Sequence, residues 1–207
     1  MPDPGTARHL PAHEYRRERW ANGVGWTRRI LRLAADGADW RDSGDGGWDL
    51  SLSIADIEGP AAYSPLPGVQ REQVLLSGDG LQLRFDDGGT AELAPPHGRF
   101  NFPGGRAVTG VPAEGPPVRA FNLMWRPQAL EAKLLHRPLV GGMFCFCDVA
   151  TAWAVHLVAG SARVAWDGGR FELAHGDSAW LAAGARQRFV LDGAGEALLV
   201  QVTRPAQ

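Results

Sequence analysis

The sequence contains little cysteine, no long apolar run and no convincing signal peptide. Its two cysteines, Cys145 and Cys147, are separated by one residue. On a strand their side chains point to the same face but lie too far apart for an easy bridge, so we expect reduced thiols. No apolar stretch approaches the roughly 20 residues that cross a bilayer. Residues 1–15 lack the basic-then-apolar order of a signal peptide. We therefore expect a cytoplasmic protein with no membrane partner.

Net charge and helical periodicity are also small. A formal charge of −2 provides no electrostatic case for a nucleic-acid partner. The best helical pattern, residues 127–135 (PQALEAKLL), predicts one short helix. Glycine and proline are abundant instead, at 27 and 15 residues. They separate alternating apolar runs such as residues 50–54, 81–85 and 163–166, a pattern typical of an all-β chain with many tight turns.

An internal repeat organises these runs. Residues 75–93 align with residues 157–173. The shared features are a glycine turn and an Asp-Gly hairpin, which match Gly78 with Gly160 and residues 87–89 with residues 167–169. The period of about 80 residues is too long for a solenoid and suggests two related domains. The continuation of the second copy through residues 174–189 resembles the second half of a cupin barrel.

This resemblance implies a double-stranded β-helix (jelly-roll) bicupin, with two cupin barrels in one compact unit. We place the N-terminal barrel at residues 1–126 and the C-terminal barrel at residues 127–207. Cupin enzymes hold a metal through two His, a Glu and a last His that project inward from strands. The matching positions hold Pro65, Pro67, Arg71 and Ala107 in the first barrel, and Cys147, Val149, Trp153 and Gln187 in the second.

An arginine in the position of a carboxylate ligand would repel a cation. We therefore expect no metal and no other cofactor. Val149 and Trp153, at inward positions, predict that the second barrel is filled by apolar side chains.

Three segments between residues 20 and 126 carry a family resemblance. They are residues 20–27 (WANGVGWT), residues 53–55 (SIA) with 64–71 (SPLPGVQR), and residues 102–104 (FPG) with 122–126 (NLMWR). In order and spacing they resemble the W-K-N-G-G-G-x-T, S-I-A…F-S-x-F-P-G-x-x-R and F-x-G…N-x-M-x-R segments of the HutD/Ves family. The chain departs from the pattern at Ala21, Val24, Arg29 and Pro127.

The family is associated with bacterial histidine-utilisation operons and stress response, and has a bicupin fold and no established enzymatic activity. The resemblance therefore implies a ligand-sensing or accessory role. If the Lys and Glu that are replaced at Ala21 and Arg29 contact the family's ligand, this chain binds a different ligand or none.

Arg71 is the centre of the candidate site. Its position directs it into the first barrel, where an unpaired guanidinium is costly to bury. It needs an acceptor, which is Asp56, Glu72, a backbone carbonyl or an anionic ligand. The candidate ligand-binding residues are Trp20, Asn22, Gly23, Arg71, Phe102, Asn122 and Arg126. We assign no catalytic residue.

Three functions stay open. The first is a non-enzymatic binder or regulator for a small anionic molecule, a carboxylate, linked to histidine utilisation. The second is a metal-independent isomerase or epimerase that uses Tyr63, His97 or His156 as its base. The third is a structural interaction protein whose second barrel forms a homodimer surface.

Overall fold

The computed structural model describes residues 6–20, 22–36 and 39–204. Within these ranges the chain is all-β, as expected, with one short 3-10 turn at Ala12–Glu14 and no α-helix. None of the described segments is a helix long and apolar enough to span a membrane. The chain divides into two compact units. We call residues 16–33 and 43–128 the first unit, and the rest of the described chain the second unit.

The first unit contains six neighbouring strands of one sheet, which we call the larger sheet, and a separate four-stranded sheet. The strand order is β10-β7-β12-β5-β3-β2 in the larger sheet and β6-β11-β8-β9 in the four-stranded sheet. The strands are β2 Arg16–Arg19, β3 Gly25–Asp36, β5 Leu50–Ile57, β6 Ala61–Ala62, β7 Gln70–Ser77, β8 Leu81–Phe85, β9 Thr90–Leu93, β10 Arg99–Pro103, β11 Val108–Pro112 and β12 Val118–Trp125. Apolar residues from both sheets, among them Leu75, Leu83 and Phe102, form one buried cluster, because alternate residues of each strand face inward.

The second unit contains a sheet in the order β1-β16-β14-β17-β13, with β15 paired to β14. The strands of this sheet are β1 Thr6–Leu10, β13 Glu131–Cys147, β14 Thr151–Trp166, β15 Gly169–Leu173, β16 Ser178–Ala182 and β17 Gln187–Thr203. The unit also contains β4 Asp39–Asp42, which is not part of this sheet. Its core includes Cys145, Leu157, Phe189 and Leu199. The inferred boundary at 126/127 lies near the passage from residue 128 to residue 129, but residues 6–15, 34–36 and 39–42 also belong to this unit.

Asp177 attaches the N-terminal residues to the second unit. Its carboxylate accepts hydrogen bonds from the backbone N–H groups of Ala12 (2.8 Å) and Ala174 (3.0 Å). The ring nitrogen Nε2 of His9 lies 3.0 Å from the same carboxylate. Burial by itself would raise the pKa of Asp177, but these hydrogen bonds and His9 hold it below its usual value. These contacts explain why the N-terminal segment joins the sheet of the second unit, although it lies far from Asp177 in sequence.

The repeat has a structural counterpart in the two units. Gly78 and Gly160 both have positive φ, at 101° and 84°. Each is followed by a hairpin, β8–β9 in one unit and β14–β15 in the other. The short helix expected at residues 127–135 is wrong, because Glu131–Cys147 forms strand β13 and pairs along its length with β17. Long-range pairing therefore overrides the local helical pattern there.

Candidate functional site

A cavity of about 530 Å³ lies in the first unit. One of its walls is a face of the larger sheet, and the segment around Tyr63 forms another part of its lining. The strand residues that line it alternate in sequence, because every second side chain of a strand points to the same face. They include Ser51, Ser53 and Ala55 on β5, Arg71 and Gln73 on β7, and Asn122 and Met124 on β12.

The strand register arranges these side chains in rows across the sheet. One row runs from Phe102 through Arg71, Met124 and Ser51 to Arg32. The next row contains Gln73, Asn122, Ser53 and Arg29 in the same direction. Directly opposed residues share a face of the sheet, so each row is a line of neighbouring side chains. The cavity wall is therefore polar across several strands.

Arg71 is buried and has no acidic partner in the described part of the chain. The residue is 9% exposed, and its Nε is buried without a hydrogen-bond acceptor. Its guanidinium carbon lies 4.9 Å from the ring centre of Tyr63 and 5.5 Å from that of Phe102. Burial lowers the pKa of Arg71, an effect that Tyr63 partly opposes. The aromatic rings hold the cation but do not neutralise it.

The two acids considered as partners of Arg71 are engaged elsewhere. Asp56 pairs with Arg28 at 2.9 Å and with Arg119 at 3.3 Å. Glu72 lies 3.6 Å from Arg99. Neither of these two acids therefore pairs with Arg71.

Two glycines make room for the site. A Cβ at Gly104 would lie 3.2 Å from Cδ of Arg71 and about as close to two backbone oxygens. A Cβ at Gly110 would lie 2.4 Å from the hydroxyl oxygen of Tyr63. Gly104 belongs to the FPG segment that carries the family resemblance, and its missing side chain lets the stem of Arg71 cross the backbone there.

Buried amides and hydroxyls stand beside Arg71. Gln73 donates a hydrogen bond from Nε2 to Oδ1 of Asn122 at 2.7 Å and a longer one to the hydroxyl of Tyr63 at 3.4 Å. The Oε1 of Gln73 and the Oγ of Ser51 are buried and have no hydrogen-bond partner among the described residues. Desolvation raises the pKa of Tyr63, so its hydroxyl is protonated at neutral pH. The wall therefore offers both donors and acceptors to a ligand.

Strand β3 contributes two further arginines to the lining. Arg29 forms ion pairs with Glu18 and, at 2.8 Å, with Asp45. Arg32 has a buried Nε without an acceptor and lies 5.8 Å from the ring centre of Trp48. Burial and then the charge of Arg29 lower the pKa of Arg32. Among the described lining residues, three are arginines and Glu18 is the acid, so the cavity is positive although the chain carries a net charge of −2.

The sequence did not indicate Arg32 because a bulge puts it on this wall. Arg29 lies opposite Ser53 and Arg32 opposite Ser51, so the four residues 29–32 of β3 lie opposite the three residues 51–53 of β5. Regular alternation would place residues 29 and 32 on opposite faces. Gln73 was also missed, although it lies two residues after Arg71 on the same strand face and could have been found by alternation.

Of the other expected site residues, Trp20, Asn22 and Asn122 line the cavity together with Arg71. Trp20 donates from Nε1 to Oγ1 of Thr27 at 2.9 Å and meets the ring of Tyr63 edge-on. Asn22 is exposed, and its Oδ1 accepts a hydrogen bond from Val24 N–H at 3.2 Å. Ala21, between them, lies outside the described residues.

Gly23, Phe102 and Arg126 do not line the cavity directly. Gly23 closes a turn by donating its N–H to the carbonyl of Trp20, and its φ is +71°. Phe102 is buried in the core and lies beside Arg71 on the neighbouring strand β10. Arg126 donates from Nε to the carbonyl of Trp48 at 2.9 Å.

The positions of cupin metal ligands do not fit a metal in either unit. In the first unit, Arg71 supplies a cation where a carboxylate is needed. In the second unit, Cys147 donates from Sγ to the carbonyl of Leu181 at 3.4 Å, and burial raises its pKa to about 12, which opposes the thiolate form that binds metals. Val149 is 51% exposed and lies in the turn before β14, so its expected inward direction is wrong.

Comparisons with known proteins relate this chain to one family. The HutD family model matches residues 12–199. An uncharacterised 21.2 kDa protein in the hutC 3′ region of Pseudomonas putida is 37% identical over 125 residues, which cover 60% of this chain and 61% of that protein. Protein Ves of Citrobacter koseri is 32% identical over 117 residues, 56% of either chain. The alignments thus span about three fifths of the length of these relatives.

The fold comparison covers more of the chain. The structure of HutD from Pseudomonas fluorescens SBW25 superposes with a TM-score of 0.79 at 28% identity. The superposition covers 97% of this chain and all of that one.

Proposed function

Because this chain belongs to the HutD family, we propose that it is a non-enzymatic accessory protein that binds a small carboxylate. The cavity of the first unit is the binding site, and the role is linked to histidine utilisation. The position of the Pseudomonas putida relative in the hutC 3′ region supports that link. We also propose that the two units are the two cupin barrels of a bicupin, which the repeated glycine turn and hairpin support.

The buried guanidinium of Arg71 carries the proposal. Its Nε lacks an acceptor in the described residues, and burial of a charged donor without a partner costs free energy. A carboxylate would supply two acceptor oxygens and the missing negative charge in one group. The aromatic contacts of Arg71 with Tyr63 and Phe102 limit its movement, so the cation is positioned before a ligand arrives.

Calorimetric titration with urocanate, formylglutamate and histidine tests this function. We expect saturable heat from at least one of them with the unchanged protein and none with Arg71→Gln. The matched control is Arg163→Gln, since Arg163 is exposed, pairs with Glu172 and belongs to the second unit. Absence of heat from all three compounds, or equal binding by Arg71→Gln, would overturn the proposal.

A metal-independent isomerase or epimerase is the second candidate. Of the three expected bases, Tyr63 lines the cavity. The Nδ1 of His97 lies 3.0 Å from the carbonyl of Leu75, and that of His156 lies 2.9 Å from Oγ of Ser178. Because desolvation raises the pKa of Tyr63, its phenol would act as a proton donor rather than as a base. Proton NMR in D₂O would detect exchange at the carbon next to a ligand's carboxylate, and a ligand that binds without exchange would exclude this candidate.

An exposed apolar row on β13 favours a homodimer as a separate, structural role. Val140 is 92%, Phe144 58% and Phe146 47% exposed, and β13 is the last strand in its sheet. An unpaired strand edge is self-complementary in antiparallel pairing, so a second copy is the natural occupant. Sedimentation velocity should show a concentration-dependent dimer that Phe144→Ser weakens. A monomer at every concentration would contradict it.

A further inference from the structure

The floor of the cavity in the first unit, formed by β5, β7 and β12, is hardly open to solvent. Ser53 is 3%, Gln73 1% and Asn122 4% exposed, although all three line a cavity of about 530 Å³. A molecule with several carbon atoms therefore reaches them when part of the lining moves. The floor strands resist such movement, because β12 pairs along its length with both β5 and β7.

The segment between β5 and β7 also contributes to the lining, and we call it the gate segment (residues 58–69). Its strand β6 is two residues long and lies at the end of the four-stranded sheet, where it pairs with β11. Prolines at positions 60, 65 and 67 lack the N–H that would donate further backbone hydrogen bonds. A short edge strand with few backbone bonds opens at a lower free-energy cost than the strands of the floor.

The gate segment adjoins two cavities. Tyr63 and Ala62 line the cavity that contains Arg71 and also line a second cavity of about 640 Å³. Pro60 and Pro65 belong to the lining of the second cavity. Close packing restricts movement in most protein interiors. Because unfilled space adjoins this segment in both cavities, it can shift from one toward the other without displacing a packed core.

Tyr63 is the side chain of the gate segment that closes on the buried arginine. Its ring centre lies 4.9 Å from the guanidinium carbon of Arg71. Its hydroxyl lies in the space that the missing side chain of Gly110 leaves, and accepts a hydrogen bond from Gln73 that is long, at 3.4 Å. One long hydrogen bond and one cation–π contact are weak enough to break when the segment moves.

We infer that the gate segment opens and closes this cavity, and that a molecule reaches Arg71 when Tyr63 moves toward the second cavity. Gly59 and Gly68 lie near the two ends of the segment and supply backbone rotation there. A Cβ at Gly59 would meet nothing within 4 Å, and Gly68 has a φ of +75°. The inference rests on the proposed function in taking this cavity as the binding site.

A disulfide between β6 and β11 tests the gate. Ala62 and Thr109 are directly opposed in the antiparallel pairing, so their Cα atoms lie about 4.5–5.5 Å apart, within the range of a disulfide. The double variant Ala62→Cys/Thr109→Cys therefore fixes the gate segment to the four-stranded sheet. The matched control is Gln82→Cys/Glu92→Cys, which links β8 to β9 in the same sheet and leaves the gate segment unconstrained.

Ser53→Cys, added to each double variant, reports access to the cavity floor, because Ser53 lines the cavity. The probe is methyl methanethiosulfonate, and peptide mass spectrometry measures labelling at each cysteine. Cys145 and Cys147 are buried in the second unit, so their labelling in the same sample reports global unfolding. We expect the oxidised gate disulfide to slow labelling at position 53 about tenfold or more, relative to Ser53→Cys alone and to the control disulfide.

Hydrogen exchange provides a second measurement on the unchanged protein. The N–H groups of Tyr63 and Leu66 donate to the carbonyls of Val108 (2.9 Å) and Gly104 (2.7 Å). If the segment opens as a unit, both should have the same protection factor, within about threefold. That factor should be at least about tenfold below that of Leu123, which is buried in β12.

Either measurement can overturn the gate. Equal labelling at position 53 with the gate disulfide and the control disulfide would show that molecules reach the floor by another route. Protection of Leu66 as strong as that of Leu123 would show that the segment does not open. Neither measurement uses a carboxylate, so failure of the gate leaves the proposed function standing, and failure of the titrations leaves the gate standing.

Discussion

Arg71→Met should stabilise the ligand-free protein. Arg71 is 9% exposed, has a buried Nε without an acceptor and forms no ion pair within the described residues. Methionine has a similar stem length and fills most of the same space beside Gly104. The substitution therefore removes a buried charge without leaving an acid unpaired, which is the condition under which such replacements are neutral or stabilising.

The magnitude follows from the contacts that are lost and gained. An unsatisfied buried donor costs about 1–3 kcal/mol, and more when it is charged. The contacts with Tyr63 and Phe102 oppose this by about 0.5–1 kcal/mol each, because they lie 4.9 and 5.5 Å from the guanidinium. We expect the free energy of unfolding to rise by about 1–2 kcal/mol, or Tm by about 2–8 °C in a chain of this size.

Urea unfolding followed by circular dichroism measures this change, with Arg84→Met as the control. Arg84 is exposed and its Nε donates to the side chain of Gln82, so its replacement should change stability by less than about 0.5 kcal/mol. A saturating carboxylate ligand should reverse the order, because it stabilises only the protein that retains Arg71. If Arg71→Met lowers ligand-free stability by more than about 1 kcal/mol, Arg71 is already compensated and the reasoning is wrong.

Three further predictions concern packing, thiols and pH. Gly110→Ala should lower stability by about 1–3 kcal/mol in urea unfolding, because the new methyl group overlaps the hydroxyl of Tyr63. Cys145 and Cys147 should resist Ellman's reagent at pH 8 in the folded protein, since burial raises their pKa values to about 11 and about 12. Asp177→Asn should cost about 1–3 kcal/mol at pH 7. Because the folded pKa of Asp177 is lowered, its stabilisation is present above about pH 4 and is lost as pH falls through the folded value.

Each of these three predictions has a control measurement on the same protein. A Cβ at Gly47 meets nothing within 4 Å, so Gly47→Ala should be near neutral, and equal losses at Gly47 and Gly110 would contradict the overlap. Both thiols should react once the chain is unfolded, and rapid reaction before unfolding would contradict their burial. For Asp177→Asn, a stability deficit that stays constant from pH 7 to pH 3 would show that ionisation of Asp177 is not its source.

Local patterns predicted the parts of the fold that depend on local rules. Alternation at residues 50–54, 81–85 and 163–166 correctly indicated strands β5, β8 and part of β14. The assignment failed at residues 127–135 because β13 is determined by its partner β17. Pairing of β1 with β16 also joins residues about 170 positions apart, which no short window of sequence contains.

The residues of the candidate site likewise include some that local patterns predict and one that they do not. Position in a repeating strand pattern was enough to point Arg71 inward, and alternation from Arg71 would have reached Gln73. Arg32 lies on the cavity wall because of the bulge in β3, since a bulge moves every later side chain of the strand to the opposite face of the sheet. Without the bulge, Arg29 and Arg32 would lie on opposite faces of the sheet. The number of cations on the cavity wall therefore depends on one inserted residue, which alternation in the sequence does not reveal.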